Sequence, residues 1–214
     1  MVEDFRKVDE LRASLRRALE NLPLEYRKTY LQDGPALGPE HIGNGTIFHS
    51  RQALVSALLS EGCVGAELGT QGGHWARFLA DELRPRELHV VDIDLSQLEQ
   101  DFSNDSNIQL WETESQAFLG RRELSSFDFI YIDASHWYPD VKIDTELSAS
   151  RVKIGGLLIF NDYTTWSPIE CEPYGVLRAI NELLIAGGFR IEGFGLHPSG
   201  YPDVALRKIS QHMV

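Results

Sequence analysis

Residues 64–73 read "VGAELGTQGG", with one carboxylate and four glycines in ten positions behind an apolar run. Such a stretch reads as a strand that turns into a helix, with Glu67, Gly69, Thr70, Gln71 and Gly73 at the junction, where glycine lets backbone come close to a ligand. It departs from the GxGxxG of dinucleotide binders, because Gln71 stands where a second glycine would admit a pyrophosphate onto the helix N-terminus. A ligand without phosphates fits better, and Glu67 can accept a hydrogen bond from a cationic amino group. Taken alone, the glycines are explained equally well by turn geometry.

Working outward, helix "SRQALVSALLSE" precedes this strand and helix "GHWARFLADEL" follows it. Strands "ELHVVDID", "IQLWE", "FDFIYID" and "GGLLIFND" then alternate with helices "SQAFLGRREL", "YPDVKIDTELSASRV" and "YGVLRAINELLIAGG". Short apolar strands alternating with helices predict an α/β fold: a Rossmann-like, doubly wound, seven-stranded sheet. Only "HPSGYP" separates the last two strands, "FRIEGFGL" and "DVALRKI", so they are expected to form an antiparallel hairpin at the sheet edge. Ahead of the sheet, Phe5, Val8, Leu11, Leu15, Ala18, Leu19 and Leu22 recur at helical spacing until Pro23. Residues 33–46, "DGPALGPEHIGNGT", collect glycine and proline into a lid-like loop. The organisation expected is a helix and lid over 1–49 and one binding domain over 50–214.

With 214 residues and 43% hydrophobic content the chain can fill one core but not two ordinary ones. A formal net charge of −12, spread along the chain, argues against a phosphate backbone or an anionic membrane as partner. Cys63 and Cys171 form no CxxC pair, and the charged N-terminus has no signal-like apolar stretch, so a cytoplasmic protein with reduced thiols is expected. His41, His49, His74, His89, His197 and His212 show no HxxxH or HxH spacing, and most are expected at the surface or at helix ends.

In an open parallel sheet, ligands sit beyond the carboxyl ends of the strands. Asp92, about twenty residues past the glycine loop, can take both hydroxyls of a ribose there, while Asp94 can cap the next helix. Ser115 is expected to cap the helix after the third strand, with Gln116 within reach of an adenine edge. Asp133 and Asp162 end two later strands, and His136 lies three residues past the first of them.

These residues together carry a resemblance. The ExGTxxG loop, the acid ending the next strand, "YIDASHWY" and "GGLLIFNDY" resemble class I S-adenosylmethionine-dependent methyltransferases. The closer likeness is to the divalent-metal-dependent small-molecule O-methyltransferases, such as those of catechols and macrolide sugars, over residues 50–209. The resemblance implies S-adenosylmethionine as cofactor, with Glu67, Gly69 and Gly73 along its methionine part and Thr70, Gln71 and Asp133 in the same set. It places Asp92 on the ribose, and Ser115 with Gln116 near the adenine. It puts Asp133, Asn161 and Asp162 at Mg²⁺ positions and His136 in the place of the base, so Asp133 and His136 are the catalytic candidates.

The chemistry agrees with that arrangement. Methyl transfer from a sulfonium needs an oxygen in line behind the methyl group, and a hydroxyl is weakly nucleophilic until it loses its proton. Mg²⁺ on oxygen ligands can lower a hydroxyl pKa, and a histidine can remove the proton near neutrality. Asp140 and Asp144, one and two turns into the following helix, are expected to lie too far from the rim to serve. Trp137, Tyr138, Tyr163 and Trp166 would either stack on a substrate or cover the core. The function expected is O-methylation of a sugar, polyketide or phenol hydroxyl, with homo-oligomer contacts through the N-terminal segment. An NAD(P)-dependent oxidoreductase and a non-catalytic cofactor-binding protein are the alternatives.

Overall fold

The computed structural model describes residues 2–43 and 45–211; His212 and the side chain of Phe5 lie outside what is described. The chain opens with α1 (Val2–Asn21), α2 (Leu24–Tyr30), α3 (Pro39–Ile42) and β1 (Thr46–Phe48). Next come α4 (Arg51–Leu58), β2 (Val64–Leu68), α5 (His74–Leu83), β3 (Glu87–Asp92), β4 (Ile108–Glu112) and α6 (Ser115–Gly120). The rest is β5 (Phe127–Ile132), α7 (Tyr138–Arg151), β6 (Val152–Phe160), β7 (Trp166–Ser167), β8 (Glu172–Pro173), α8 (Val176–Ala186), β9 (Phe189–Gly195) and β10 (Asp203–Lys208).

The sheet runs in the order β1-β9-β10-β6-β5-β2-β3-β4, with β7 and β8 as a separate two-stranded ribbon. All neighbours pair in parallel except β10, which is antiparallel to both β9 and β6. The doubly wound α/β fold is therefore as expected, with two corrections. The sheet has eight strands rather than seven, because Thr46–Phe48 pairs with β9; three residues are too few to show a strand period in sequence. The β9-β10 hairpin forms, but β10 is inserted between β9 and β6 and β1 takes the edge.

Alternation along the strands divides the core between the two faces. Ala66, Leu68, Ile130 and Ile132 pack with Phe118, Val141 and Ile180 beneath α6, α7 and α8. Phe129, Tyr131, Leu157 and Ile159 pack with Leu54, Trp75 and Leu79 beneath α4 and α5. A register shift between Phe127 and Phe129 returns Phe127 to the first face, so two aromatic residues two apart serve opposite cores. Glu67 pairs in register with Tyr131 and shares its face, which buries a carboxylate beneath the site.

The amphipathic pattern of the first helix forms, yet its apolar side is not packed on the sheet. From Arg6 to Asn21 only Leu15 and Leu19 are half-buried, whereas Val8 and Leu11 are exposed. Among the described residues no helix is long and apolar enough to cross a membrane, and both cysteines are free.

Candidate active site

Past the carboxyl ends of β2, β3, β4 and β5 lies a cavity of about 840 Å³, within the usual size for a small-molecule site. Glu67, Gly69, Thr70, Gln71, Asp92, Ser115, Gln116, Asp133 and His136 all line it. Gly73 does not: it starts α5 with φ +79 and packs against Leu98, while Gly72 forms the wall. Asn161 and Asp162 lie beyond the same rim, at the end of β6, which pairs with β5.

Each residue is placed by its strand. Gly69 has φ +84, and a Cβ there would lie 2.1 Å from the carbonyl oxygen of Asp133, so only glycine lets β2 and β5 finish side by side. Asp92 ends β3, and its Oδ2 accepts the backbone N–H groups of Thr70 and Gln71, each at 2.8 Å. Its Oδ1 accepts from Asp94 N at 3.0 Å. The aspartate thus holds the glycine loop in shape and keeps one acceptor site free, on Oδ1. Asp94 caps the turn after it through Ser96 N, as the sequence predicts. Ser115 is not a cap: Glu114 occupies that position, and the Ser115 hydroxyl donates instead to Asp144 at 2.7 Å.

That contact corrects a second expectation. Asp140 and Asp144 line the cavity, because α7 starts at the rim and its first two turns run along the wall. Burial pushes the Asp144 carboxyl up to about 6. Asp140 accepts the Ser135 hydroxyl at 2.9 Å, which organises the loop carrying His136.

The three titratable groups at the β5 and β6 ends meet. His136 Nε2 lies 3.6 Å from Asp133 Oδ1 and 3.6 Å from Asp162 Oδ2, in ion-pair reach of both and hydrogen-bonded to neither. The Tyr174 ring stacks on the imidazole, 4.2 Å between centroids and 3° from parallel. Burial works against the imidazolium, but Asp133, Asp162 and Glu170 outweigh it and hold the His136 pKa above its usual value. Burial and the neighbouring Asp133 carry Asp162 up to about 6.

Sequence reasoning missed several residues here. Arg51 lines the cavity with its guanidinium 4.2 Å above the Trp75 ring, facing Tyr131, Asp203 and Asp133. Its signal was present: it is the single charged residue in "RQALVSAL". Glu170, which also lines the cavity and accepts the Tyr174 hydroxyl, carries no sequence signal. Of the aromatic cluster, Tyr138 and Tyr163 pack on the core and tie their hydroxyls to Glu182 and Asn181, while Trp137 is exposed. His89, contrary to the expectation for most histidines, is buried and accepts from Trp111 Nε1 at 3.1 Å.

Residues 66–163 match the family described as "Methyltransferase domain". No curated protein matches the chain in sequence. Among solved structures it is similar to an rRNA methylase from Streptococcus thermophilus, 14% identical with TM-score 0.55 over 74% of this chain and 94% of that one. It is also similar to the N-methyltransferase NodS from Bradyrhizobium japonicum, 17% identical with TM-score 0.52 over 75% and 92%. A third is the MycE methyltransferase of mycinamycin biosynthesis, solved with Mg, SAH and mycinamycin VI, 19% identical with TM-score 0.52 over 71% of this chain and 45% of that one. At such identities the likeness is one of fold. The family match and the likeness of fold are both those of a methyltransferase domain.

Proposed function

We propose that the protein is an S-adenosylmethionine-dependent O-methyltransferase whose acceptor is a hydroxyl of a small molecule such as a sugar, polyketide or phenol. The observation that carries this reading is His136 between Asp133 and Asp162, on the wall of the cavity that Glu67 and Asp92 also build. Glu67, Asp92 and Asp133 suit a cofactor that bears a sulfonium and an ammonium, and the cavity volume suits a nucleoside joined to an amino acid. When bound, S-adenosylmethionine supplies a methyl group activated by its positive sulfur.

The chain's own residues do the rest. His136, when neutral, takes the acceptor's proton, and the two carboxylates that face its Nε2 stabilise the imidazolium formed. Tyr174 fixes the plane of the ring. The net charge of −12 and the acidic cavity wall favour a small acceptor over RNA.

Mg²⁺ at Asp133, Asn161 and Asp162 is a second reading, favoured by the oxygen donors and by the magnesium in the MycE complex. As placed, the residues do not form such a site: the imidazole stands between the two carboxylates, and among the described residues no three His, Cys, Asp or Glu side chains are grouped to hold a metal.

The test is methyl transfer from labelled S-adenosylmethionine to a panel of hydroxyl and amine acceptors, with and without exhaustive chelation, alongside thermal shifts with SAH and NADH. Hydroxyl-only transfer that survives chelation is expected. Loss on chelation with recovery on Mg²⁺ would replace the first reading by the second, and a shift with NADH alone would remove both.

A further inference from the structure

We propose that Gln32 is a positioning residue for His136, and that the segment from Gln32 to Pro35 is a strap that fixes the acceptor side of the site. The segment lies more than a hundred residues before that side in sequence and belongs to no strand or long helix. The proposal deepens the reading of His136 as the base.

Gln32 is only 3% exposed, and its amide spans two loops. Its Oε1 accepts the backbone N–H of Tyr138 at 2.8 Å, and its Nε2 donates to the carbonyl of Pro173 at 2.9 Å. Tyr138 opens α7 two residues after His136, and Pro173 immediately precedes Tyr174, the ring stacked on His136. Between these two points Gly175 N donates to the His136 carbonyl at 2.7 Å. One side chain therefore brackets both the loop that carries the imidazole and the loop that carries its stacking partner.

The strap makes a second attachment three residues on. Asn181 donates from Nδ2 to the Pro35 carbonyl at 2.7 Å and accepts the Tyr163 hydroxyl at 2.6 Å on Oδ1. Tyr163 follows Asp162, so the same short segment steadies the far carboxylate as well. Without the Gln32 amide, a half-buried N–H and a buried C=O lose their partners, and the cheapest relief is for the two loops to part and admit water. A residue that merely filled space would not need a donor and an acceptor at these two ends.

Two variants and three readouts test this without any methyl acceptor. In Gln32→Leu, amide hydrogen exchange at Tyr138 and Gly175 should rise about tenfold or more, while β5 and β6 keep wild-type protection. The His136 ring protons should lose the upfield NMR shift imposed by Tyr174, and SAH affinity should stay within about twofold. Gln32→Glu can accept but not donate when ionised, so it should lie between the two at neutral pH. Relative to wild type at the same pH, it should recover local protection as acid protonates the introduced carboxyl, whereas Gln32→Leu should not. Unchanged exchange and ring shifts in Gln32→Leu, or exchange raised equally across the sheet, would overturn the proposal. If Gln32→Leu fails to fold, the acid recovery of Gln32→Glu decides alone, and its absence overturns the proposal. A His136→Ala variant with undiminished turnover would sink the base assignment and leave the bracket standing, so the two failures are distinguishable.

Discussion

The hydroxyl of Thr70 donates to Glu67 Oε2 at 2.8 Å, and this bond does not offset the cost of burying the carboxyl, which burial pushes up to about 8. The folded-state pKa lies above the ordinary 4.5, so the stabilising protonated form is fully present below about pH 4.5 and its contribution is lost as pH rises towards about 8. Glu67→Gln should therefore melt with the wild type at pH 4 and above it at pH 9, by a difference on the order of a few kcal/mol. At pH 9, where the carboxyl is ionised, it should also bind SAH about tenfold or more weakly, since a charged acceptor is lost. Equal melting temperatures at pH 9 would show that the carboxyl is not desolvated in solution.

Asp92 has two duties that substitution can separate. Asp92→Ala leaves the N–H groups of Thr70, Gln71 and Asp94 without their acceptor, so the melting temperature should fall and the SAH-induced shift should vanish. Asp92→Asn keeps one acceptor oxygen and should fold better while still binding SAH about 10- to 100-fold more weakly by calorimetry. Wild-type affinity in the asparagine variant would restrict Asp92 to shaping the loop.

Turnover should report the raised pKa of His136. Below that pKa the ring is already protonated and cannot take the acceptor's proton, so the rate should climb with pH through a midpoint above the ordinary 6.5. Asp133→Asn removes the neighbour that most favours the imidazolium and should move the midpoint down. His136→Ala should lower the rate by about 10²–10⁴ with SAH affinity nearly unchanged. A flat pH profile in the wild type would remove His136 as the base.

Truncations should divide the N-terminal region at the strap. Removing residues 1–22 takes away a largely exposed helix and should leave SAH binding and melting intact, while size-exclusion chromatography reports whether the helix joins copies of the chain. Removing residues 1–37 also removes Gln32, Pro35 and the core contact of Leu37, and should cut turnover with cofactor binding spared. Equal turnover in the two truncations would show that the strap is dispensable.

Most of the parallel sheet is legible because its strands are short apolar runs with chemistry at their ends. Glu67, Asp92, Asp133 and His136 stand out for that reason, and all four line the cavity. What escapes is whatever depends on partners distant in sequence. β1 exists only because β9 offers it an edge, and Gln32 looks like any polar residue after a helix until Tyr138 and Pro173 close on it. Ser115 misleads for a related reason: a serine at a helix start reads as a cap, but a buried aspartate from α7 competes for its hydroxyl and wins.

The reversed direction of β10 has its own effect on how the site can change. Because this strand alone runs against its neighbours, it begins where they end, which sets Asp203 under Tyr131 and brings the connection at residues 196–202 to the rim where the parallel strands finish. From there the Tyr201 hydroxyl meets Ser167 at 3.0 Å, and Ser167 in turn accepts from Glu170 N, in the ribbon segment that carries Glu170 and Tyr174. A hairpin turn is the cheapest part of a fold to lengthen or replace, since its ends are already fixed by strand pairing. Grafting that one turn would thus shift the ribbon segment that carries Glu170 and Tyr174, with the β2–β5 half of the molecule left as it is.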